Sequence, residues 1–487
     1  MKKETIAAIA SGMTASGIGI VRISGPEAFP VADRICTLKN GRKPSEEPSH
    51  VIRYGYVTED GHVLDEALFM LMRSPRTFTT EDTVEINCHG GISAMRKVLL
   101  AALKAGARAA EPGEFTKRAF LNGRIDLSEA EAVMDLIEAT NDYALKSAVS
   151  VLRGSVRREV EEIRITLLHH LSRIEASLDD PEHLGLDEEG EDPFEEAIPY
   201  EGVYTEDFMQ PERMKAEVYR KTLTKDVEAA SQRIGRLLQS YEDGRLLRQG
   251  IRTVILGKPN AGKSSLLNLL SGQERAIVTD IEGTTRDTLE ETVRLSDLTL
   301  ILTDTAGIRK TDEVVERIGV DRARQAAEEA DLILYVADSL RELDENDREI
   351  LHFLEGKKAV TILNKTDRPG CLEEETLRKL TGGPVIAFSA KTGKGLEDLE
   401  TCLKELFALG RIAMNEEVIL TSERQRQALF EAQASLDEVK KSIAGRMSED
   451  FYAIDLMEAY SSLGRVVGQD VGEDVINEVF SRFCMGK

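Results

Sequence analysis

The sequence predicts a multidomain α/β and α chain, and three observations carry that prediction. The first is the stretch Gly257-Lys258-Pro259-Asn260-Ala261-Gly262-Lys263-Ser264-Ser265, a G-x-x-x-x-G-K-S pattern between the apolar runs 253–256 and 266–270. The second is strand–helix alternation over 251–410, which implies a mostly parallel sheet with helices on both faces. The third is helical periodicity on either side, over 126–250 and again over 422–483. With a strand-rich start, these divide the chain into an α+β domain at 1–120, a helical part at 121–250, an α/β domain at 251–410 and a second helical part at 411–487. The α/β domain is thus inserted into a discontinuous helical bundle.

The N-terminal apolar run is too short for a signal peptide, and Glu4 interrupts its basic end, so a first strand is expected there. Further strands are expected at 17–25, 51–57, 64–72 and 83–87, then a helix at 95–105. Arg22 and Glu85 lie in otherwise apolar strands, which by itself reads as the polar face of a half-exposed sheet. Ser128-Glu129-Ala130-Glu131 reads as a capping box, with Ser128 at the N-cap. A long helical run follows to about 177, with breaks expected near Asn141 and Gly154. Residues 178–210 hold thirteen Asp and Glu, no Lys or Arg, and three prolines; they read as a solvated acidic loop. Helix resumes over 212–247, and three more helices are expected at 422–444, 449–467 and 471–483. In the last, Val475, Ile476, Val479 and Phe480 should form the packed side.

Charge and cysteine usage narrow the function. The formal net charge is −24, which opposes unaided capture of nucleic acid; a nucleic-acid substrate would need a local basic patch or a partner protein. Cys36, Cys88, Cys371, Cys402 and Cys484 are odd in number and widely spaced, with no zinc spacing, and read as reduced thiols of a cytoplasmic protein. No stretch approaches the ~20 apolar residues needed to span a bilayer, so no membrane partner is expected.

The chemistry is carried by four elements, each at the carboxyl end of an expected strand, where ligands bind in open α/β sheets. In the 257–265 loop, glycines let successive N–H groups converge on phosphate oxygens, and the following helix adds its positive end. Lys263 neutralises the outer phosphates and Ser264 offers a hydroxyl to Mg²⁺. Asp304-Thr305-Ala306-Gly307 supplies a carboxylate that reaches Mg²⁺ and an N–H for a γ-phosphate. Asn364-Lys365-Thr366-Asp367 and Ser389-Ala390-Lys391 complete the set. Asp367 can accept paired bonds from guanine N1–H and N2–H₂, a donor pair that adenine lacks, so the α/β domain is expected to bind GTP in a Ras-like P-loop fold. Ile308 follows Gly307 where many Ras-like proteins carry a water-orienting glutamine. Asp312, Glu313 and Glu316 are the candidates to replace it. Asn260 either caps a turn or offers its carbonyl oxygen to a monovalent cation beside the β- and γ-phosphates.

These residues resemble the MnmE/TrmE family of tRNA-modification GTPases. The likeness covers nearly the whole chain. It includes the Gly19–Gly25 strand, Pro112-Gly113-Glu114-Phe115, Arg118-Ala119-Phe120-Leu121-Asn122 and Asp126-Leu127. It continues through Asn260–Ser265, Thr279-Asp280-Ile281-Glu282-Gly283-Thr284-Thr285-Arg286-Asp287 and Glu316-Arg317-Ile318-Gly319. The resemblance implies an N-terminal folate-binding and dimerisation domain, a homodimer, and GTPase domains that meet when GTP and K⁺ bind. It implies K⁺ at Asn260, Thr279, Ile281 and Thr284, and Mg²⁺ at Ser264 and Thr285. Nucleotide contacts would run through Asn260–Ser265, Thr279–Thr285, Asp304–Gly307, Asn364, Lys365, Asp367 and Ser389–Lys391. Glu316 would position the hydrolytic water. Arg22, Glu85, Arg124 and Lys487 fall on positions that contact 5-formyl- or 5,10-methylene-tetrahydrofolate, and Cys484 on a cysteine required for modification. The family acts with an FAD-containing partner, MnmG, in a heterotetramer or larger complex. Together they install an aminomethyl or carboxymethylaminomethyl group at C5 of the wobble uridine of certain tRNAs. Three departures stand out: the acidic 178–210 stretch is long, Arg124 replaces a lysine of some members, and Met485 replaces a usual isoleucine. A ribosome-assembly GTPase of the Era or Der type would share the nucleotide loops. It would also need a basic RNA-binding appendage, whereas the flanks here are acidic and helical.

Overall fold

The computed structural model describes residues 4–179, 216–272, 290–295, 298–303, 325–352, 354, 356–407, 418–484 and 486. The expected 178–210 loop therefore lies almost wholly outside the described residues. The chain packs into two compact units, one of residues 1–134, 152–228 and 431–487, the other of residues 135–151 and 229–430.

The first unit opens with a mixed sheet. Its strands are β1 (Ile6–Ile9), β2 (Ile18–Ser24), β3 (Cys36–Leu38), β4 (Val51–Glu59), β5 (His62–Met72), β6 (Thr83–His89) and β7 (Arg108–Ala109), in the order β3-β4-β5-β6-β2-β1-β7. All neighbours are antiparallel except β1 and β7. Alternating apolar residues create one greasy face: Val21 and Ile23, Phe69 and Leu71, Val84 and Ile86 are buried there. Helices α1 (Ala28–Ile35) and α2 (Ile92–Lys104) cover it through Val31, Met95 and Val98. A smaller cluster of Ile6, Ala8, Ala110, Phe115 and Phe78 lies apart from that core. Helix α3 (Glu114–Leu121) supplies its Phe115.

Helix α4 (Leu127–Glu138) starts differently from expectation. Asp126, not Ser128, is the cap residue. Its Oδ1 accepts bonds from the Glu129 N–H at 2.8 Å and the Ser128 hydroxyl at 2.6 Å, and Glu129 Oε2 accepts the Asp126 N–H at 2.9 Å. A carboxylate is the stronger acceptor for a positive helix end, and it displaces the hydroxyl two residues on. The expected breaks occur where Asn141 and Gly154 stand. Asn141 Oδ1 accepts the Ala144 N–H at 2.8 Å, capping α5 (Asp142–Leu152), and Gly154 takes φ 78° before α6 (Ser155–Asp179). Helix α7 follows as Ala216–Gln249, the expected residues 212–215 lying outside the described residues.

The helical part of the first unit is built from apolar stripes at helical spacing. Val160, Ile163, Leu167, Leu171 and Ile174 of α6 are buried.

The second unit is a doubly wound sheet. It contains β8 (Ile251–Leu256), β9 (Glu290–Leu295), β10 (Leu298–Thr303), β11 (Leu332–Asp338), β12 (Ala359–Asn364) and β13 (Val385–Ala387), in the order β13-β12-β11-β8-β10-β9. Only the β9–β10 hairpin is antiparallel. Central β11 is buried on both faces: Leu332, Leu334 and Val336 join one core, and Ile333, Tyr335 and Ala337 the other. Among the described residues its helices include α8 (Lys263–Ser271), α9 (Glu345–His352), α10 (Glu374–Thr381) and α11 (Leu396–Leu406). The chain ends through α12 (Glu423–Ala444), α13 (Glu449–Val467) and α14 (Glu473–Ser481). In α13, Tyr452, Leu456, Ala459, Leu463 and Val466 are buried, and the helix packs along α6 in the first unit. In α14, Phe480 is buried with Ile476 and Val479 packed on its cluster, whereas Val475, expected on the packed side, is exposed.

Candidate nucleotide site and candidate tail pocket

The loop between β8 and α8 is forced into shape by its glycines. Gly257 takes φ 141° and Gly262 φ 109°, both in territory that side chains rarely enter. A Cβ at Gly257 would strike the Val336 carbonyl, and one at Gly262 would strike the Asn364 amide. Asn260 is also left-handed, at φ 63°. The loop thus lies flat on the carboxyl edge of the sheet. The first turn of α8 presents N–H groups that a helix leaves without internal acceptors. Lys263 turns back over the loop, and its Nζ donates to the carbonyls of Gly257 at 2.5 Å and Lys258 at 2.8 Å. Burial, and behind it the nearby Arg341, hold this ammonium below its ordinary pKa. Ser264 and Ser265 are exposed beside it.

Two further loops meet this one. Buried Asn364, at the end of β12, donates from Nδ2 to the Ala261 carbonyl at 2.9 Å and accepts the Ala390 N–H at 3.0 Å. One side chain therefore joins the 257–265 loop to the 389–391 loop. Lys365, at φ 68°, donates to the Asn260 carbonyl at 2.9 Å and to Asp338 Oδ2 at 2.6 Å. Burial works against the Asp338 carboxylate, but Lys365, the Leu340 N–H and Arg341 outweigh it and keep it below the usual range. Asp367 is exposed, with Oδ1 accepting the Ser389 hydroxyl at 2.9 Å, which fixes the plane of the carboxylate. Lys391 is exposed on the same loop. The structure thus gathers Asn260 to Ser265, Asn364, Lys365, Asp367, Ser389, Ala390 and Lys391 at one sheet edge. β10 runs parallel to β8 with Thr303 beside Val254. Asp304, Thr305, Ala306 and Gly307, the 279–285 segment and Glu316 lie outside the described residues.

A buried polar cluster behind the loop has no counterpart in the expectations above. The Lys258 ammonium is held by Asp344 and, at 2.9 Å, by Asp347. Asp347 is 3% exposed; it also accepts the Tyr335 hydroxyl at 3.1 Å and the Asp344 N–H at 3.0 Å. Burial opposes the charge on Lys258, yet the two carboxylates hold its pKa above the ordinary value. Burial and Asp347 push the Tyr335 phenol well up. The sequence signal was the Asp344-x-x-Asp347 cap of α9. Asp347→Ala leaves the Lys258 charge and the Tyr335 hydroxyl short of a buried partner. It should lower unfolding stability by roughly 3 kcal/mol, read by denaturant unfolding of the full chain. A loss below about 1 kcal/mol would show the cluster to be solvated.

In the first unit, Arg22 and Glu85 are cross-strand neighbours in the β2–β6 ladder. They form an ion pair at 2.7 Å and are 17% and 15% exposed, more enclosed than the half-exposed face first expected. The Arg22 guanidinium also lies 5.4 Å from the Phe115 ring and donates to the Gly486 carbonyl at 3.4 Å. Arg124 donates to the Thr77 carbonyl and lies 5.4 Å from the Phe78 ring. Both arginines therefore rest on aromatic members of one apolar cluster. The tail is pinned against the same sheet. Phe480 and Phe483 are buried with ring centroids 5.3 Å apart, and the Gly113 N–H points to the Cys484 carbonyl at 3.5 Å. Gly486 takes φ 87°, and a Cβ there would strike the Ile9 carbonyl. Cys484 is an exposed free thiol. Lys487 and Met485 lie outside the described residues. Beneath this region runs an ionic ladder that the sequence did not reveal: Arg118 pairs with Glu81 and Glu114 at 2.9 Å each, and Arg108 with Glu114 at 2.7 Å. Among the described residues no acidic, histidine or cysteine group forms a metal cluster, and no helix is long and apolar enough to cross a membrane.

Comparison with known proteins places these features in context. The family model described as the MnmE helical domain matches residues 127–484, and that of the GTP-binding protein TrmE N-terminus matches residues 5–124. The tRNA modification GTPase MnmE of Lachnoclostridium phytofermentans is 48% identical over 488 aligned positions, covering 100% of both chains. That of Acetivibrio thermocellus is 42% identical, again over 100% of each chain. Among solved structures, the G domain of the T. maritima FeoB iron transporter is 30% identical, covering 32% of this chain and 98% of that one, with a TM-score of 0.25.

Proposed function

The chain belongs to the MnmE family, and from that premise we propose that it hydrolyses GTP at the 257–265 loop and uses the hydrolysis to drive modification of the wobble uridine of tRNA. The observation that carries this reading is the convergence of three loops on one sheet edge, joined by Asn364. The amides of 260–265 and Lys263 hold the phosphates, and Asp367 with the Ser389–Lys391 loop holds guanine. Lys263 fits this role because its ammonium now rests on two backbone carbonyls, which phosphate oxygens would replace as acceptors. Phosphate contacts also come from Thr279, Asp280, Ile281, Glu282, Gly283, Thr284 and Thr285, and from Asp304 to Gly307. Mg²⁺, held by Ser264 and Thr285, and K⁺, held by Asn260, Thr279, Ile281 and Thr284, supply positive charge to the phosphates when bound. The left-handed Asn260 backbone suits that role, since its own carbonyl is taken by Lys365 and its exposed side chain is left for a cation. Glu316 positions the water, because Ile308 cannot hydrogen-bond to it.

The folate one-carbon donor is assigned to Arg22, Glu85, Arg124 and Lys487, with Cys484 serving the modification half of the cycle. A guanidinium–carboxylate pair over aromatic rings suits a flat heterocycle with donors, acceptors and an acidic tail. The working form is a cytoplasmic homodimer built through residues 1–120, joined to an FAD-containing MnmG partner.

Hydrolysis should run much faster in K⁺ than in Na⁺ at equal ionic strength, and equal rates would sink the cation assignment. Glu316→Ala should bind GTP normally yet turn over roughly 10²-fold more slowly, the scale of a lost water-positioning group. Wild-type turnover in that variant would return the role to Asp312 or Glu313.

A further inference from the structure

A chain of net charge −24 that acts on tRNA needs somewhere to hold a polyanion. In the first unit, a cavity of about 370 Å³ opens between α7 and the turn that ends α12, lined by Arg220, Lys221, Thr224, Ile443, Ala444 and Arg446. Among the described residues that line it, three are cationic and none is acidic. We propose that this cavity is a phosphate-binding subsite for the backbone of the tRNA substrate. The proposal rests on the family reading, which supplies tRNA as the substrate.

Three observations support it. The first is that these cations are uncommitted. Lysines nearby on α12 are held by their own helix: Lys440 by Asp437 at 2.9 Å and Lys441 by Glu438 at 2.6 Å. Among the described residues, Arg220, Lys221 and Arg446 form no ion pair, so their charge is available to a ligand. The second is an unmet donor. Arg220 Nε is buried and has no hydrogen-bond acceptor among the described residues, a cost that an incoming phosphate oxygen would remove. The third is backbone placement. Gly445 donates to the Lys441 carbonyl at 2.8 Å and Met447 to the Ser442 carbonyl at 3.0 Å, so the helix end is closed. Between them Arg446 adopts φ 52°, uncommon for a long side chain, and lines the cavity. The Ile443 and Ala444 side chains that also line it carry no acceptor to compete for the cations. Phosphate contacts of this kind position a nucleic acid without reading its sequence.

The test uses the full-length protein and an unmodified tRNA transcript, with affinity measured from low to moderate KCl. The double variant Lys221→Gln, Arg446→Asn removes two exposed cations, and asparagine tolerates the left-handed backbone at 446. It should bind tRNA roughly tenfold or more weakly near 0.1 M salt, and the slope of log affinity against log salt should shrink by about 1 for each cation removed. GTP hydrolysis without tRNA should be unchanged, which also shows that the variant is folded. Arg220→Gln, made separately, should give the same signature. Unchanged affinity and slope would overturn the subsite. So would a wild-type protein that holds no tRNA, while its GTP hydrolysis would leave the family reading standing. Loss of binding to the partner protein with tRNA affinity intact would assign the cavity to an acidic protein surface instead, and would equally overturn it.

Discussion

Asp367→Asn should weaken GTP binding by roughly 10²–10³-fold, since each hydrogen bond to a charged group is worth about 1.5–3 kcal/mol and guanine offers Asp367 two donors. The carboxylate is exposed at the end of the 364–367 loop, and the Ser389 hydroxyl holds one of its oxygens. An asparagine side chain has nearly the same shape and keeps an acceptor for N1–H. Its amide group then faces the guanine amino group, donor against donor. Xanthine carries an oxygen at that ring position, so the variant should gain affinity for XTP as it loses affinity for GTP. Competition of both nucleotides against a fluorescent analogue reads the two changes together. A variant that keeps GTP affinity within about threefold and gains none for XTP would remove Asp367 from base recognition. Stability should hardly change, because the side chain is on the surface.

Cys484→Ser should abolish tRNA modification while leaving K⁺-stimulated hydrolysis intact. The thiol is exposed, and nothing in the phosphate chemistry calls for it. Its backbone is anchored on both sides, by buried Phe483 before it and by Gly486 against the Ile9 carbonyl after it. The Gly486 carbonyl also reaches Arg22. The tail is therefore seated beside the Arg22–Glu85 pair, and the serine variant should keep that seat, being close in size. Both reactions should be followed with the FAD-containing partner present. Full modification by the serine variant would exclude an essential thiol. A parallel loss of hydrolysis would make the tail structural.

The sequence carried the periodic and the covalent parts of this architecture. Strands with alternating apolar residues, the glycines of the 257–262 loop and the breaks at Asn141 and Gly154 all announce themselves locally, because the physics that fixes them acts within a few residues. The helix cap at Asp126 was misplaced because two acceptors, a carboxylate and a hydroxyl, stood two residues apart, and pattern alone does not rank them. Gly486 permits a close approach to Ile9 that no local pattern encodes. The hold of Asp347 on Lys258, the Arg118–Glu81 pair and the cation-lined cavity were illegible for one shared reason. Each joins residues far apart in the chain, and partners at such range become neighbours only when the sheets and helices assemble. Asn364 was legible as part of a base-reading motif, but its hold on the Ala261 carbonyl was not.

That hold has a consequence for how this protein can drift. Gly262 cannot gain a side chain while the Asn364 amide occupies the space. Shortening Asn364 to make room strands the Ala261 carbonyl and the Ala390 N–H that it now satisfies. Each single change is harmful by a different route, one by collision and the other by an unmet bond. Clearing the space at Asn364 does not free Gly262, whose own backbone at φ 109° still disfavours a side chain. Random mutagenesis will therefore find both sites closed, and a paired substitution will not reopen them.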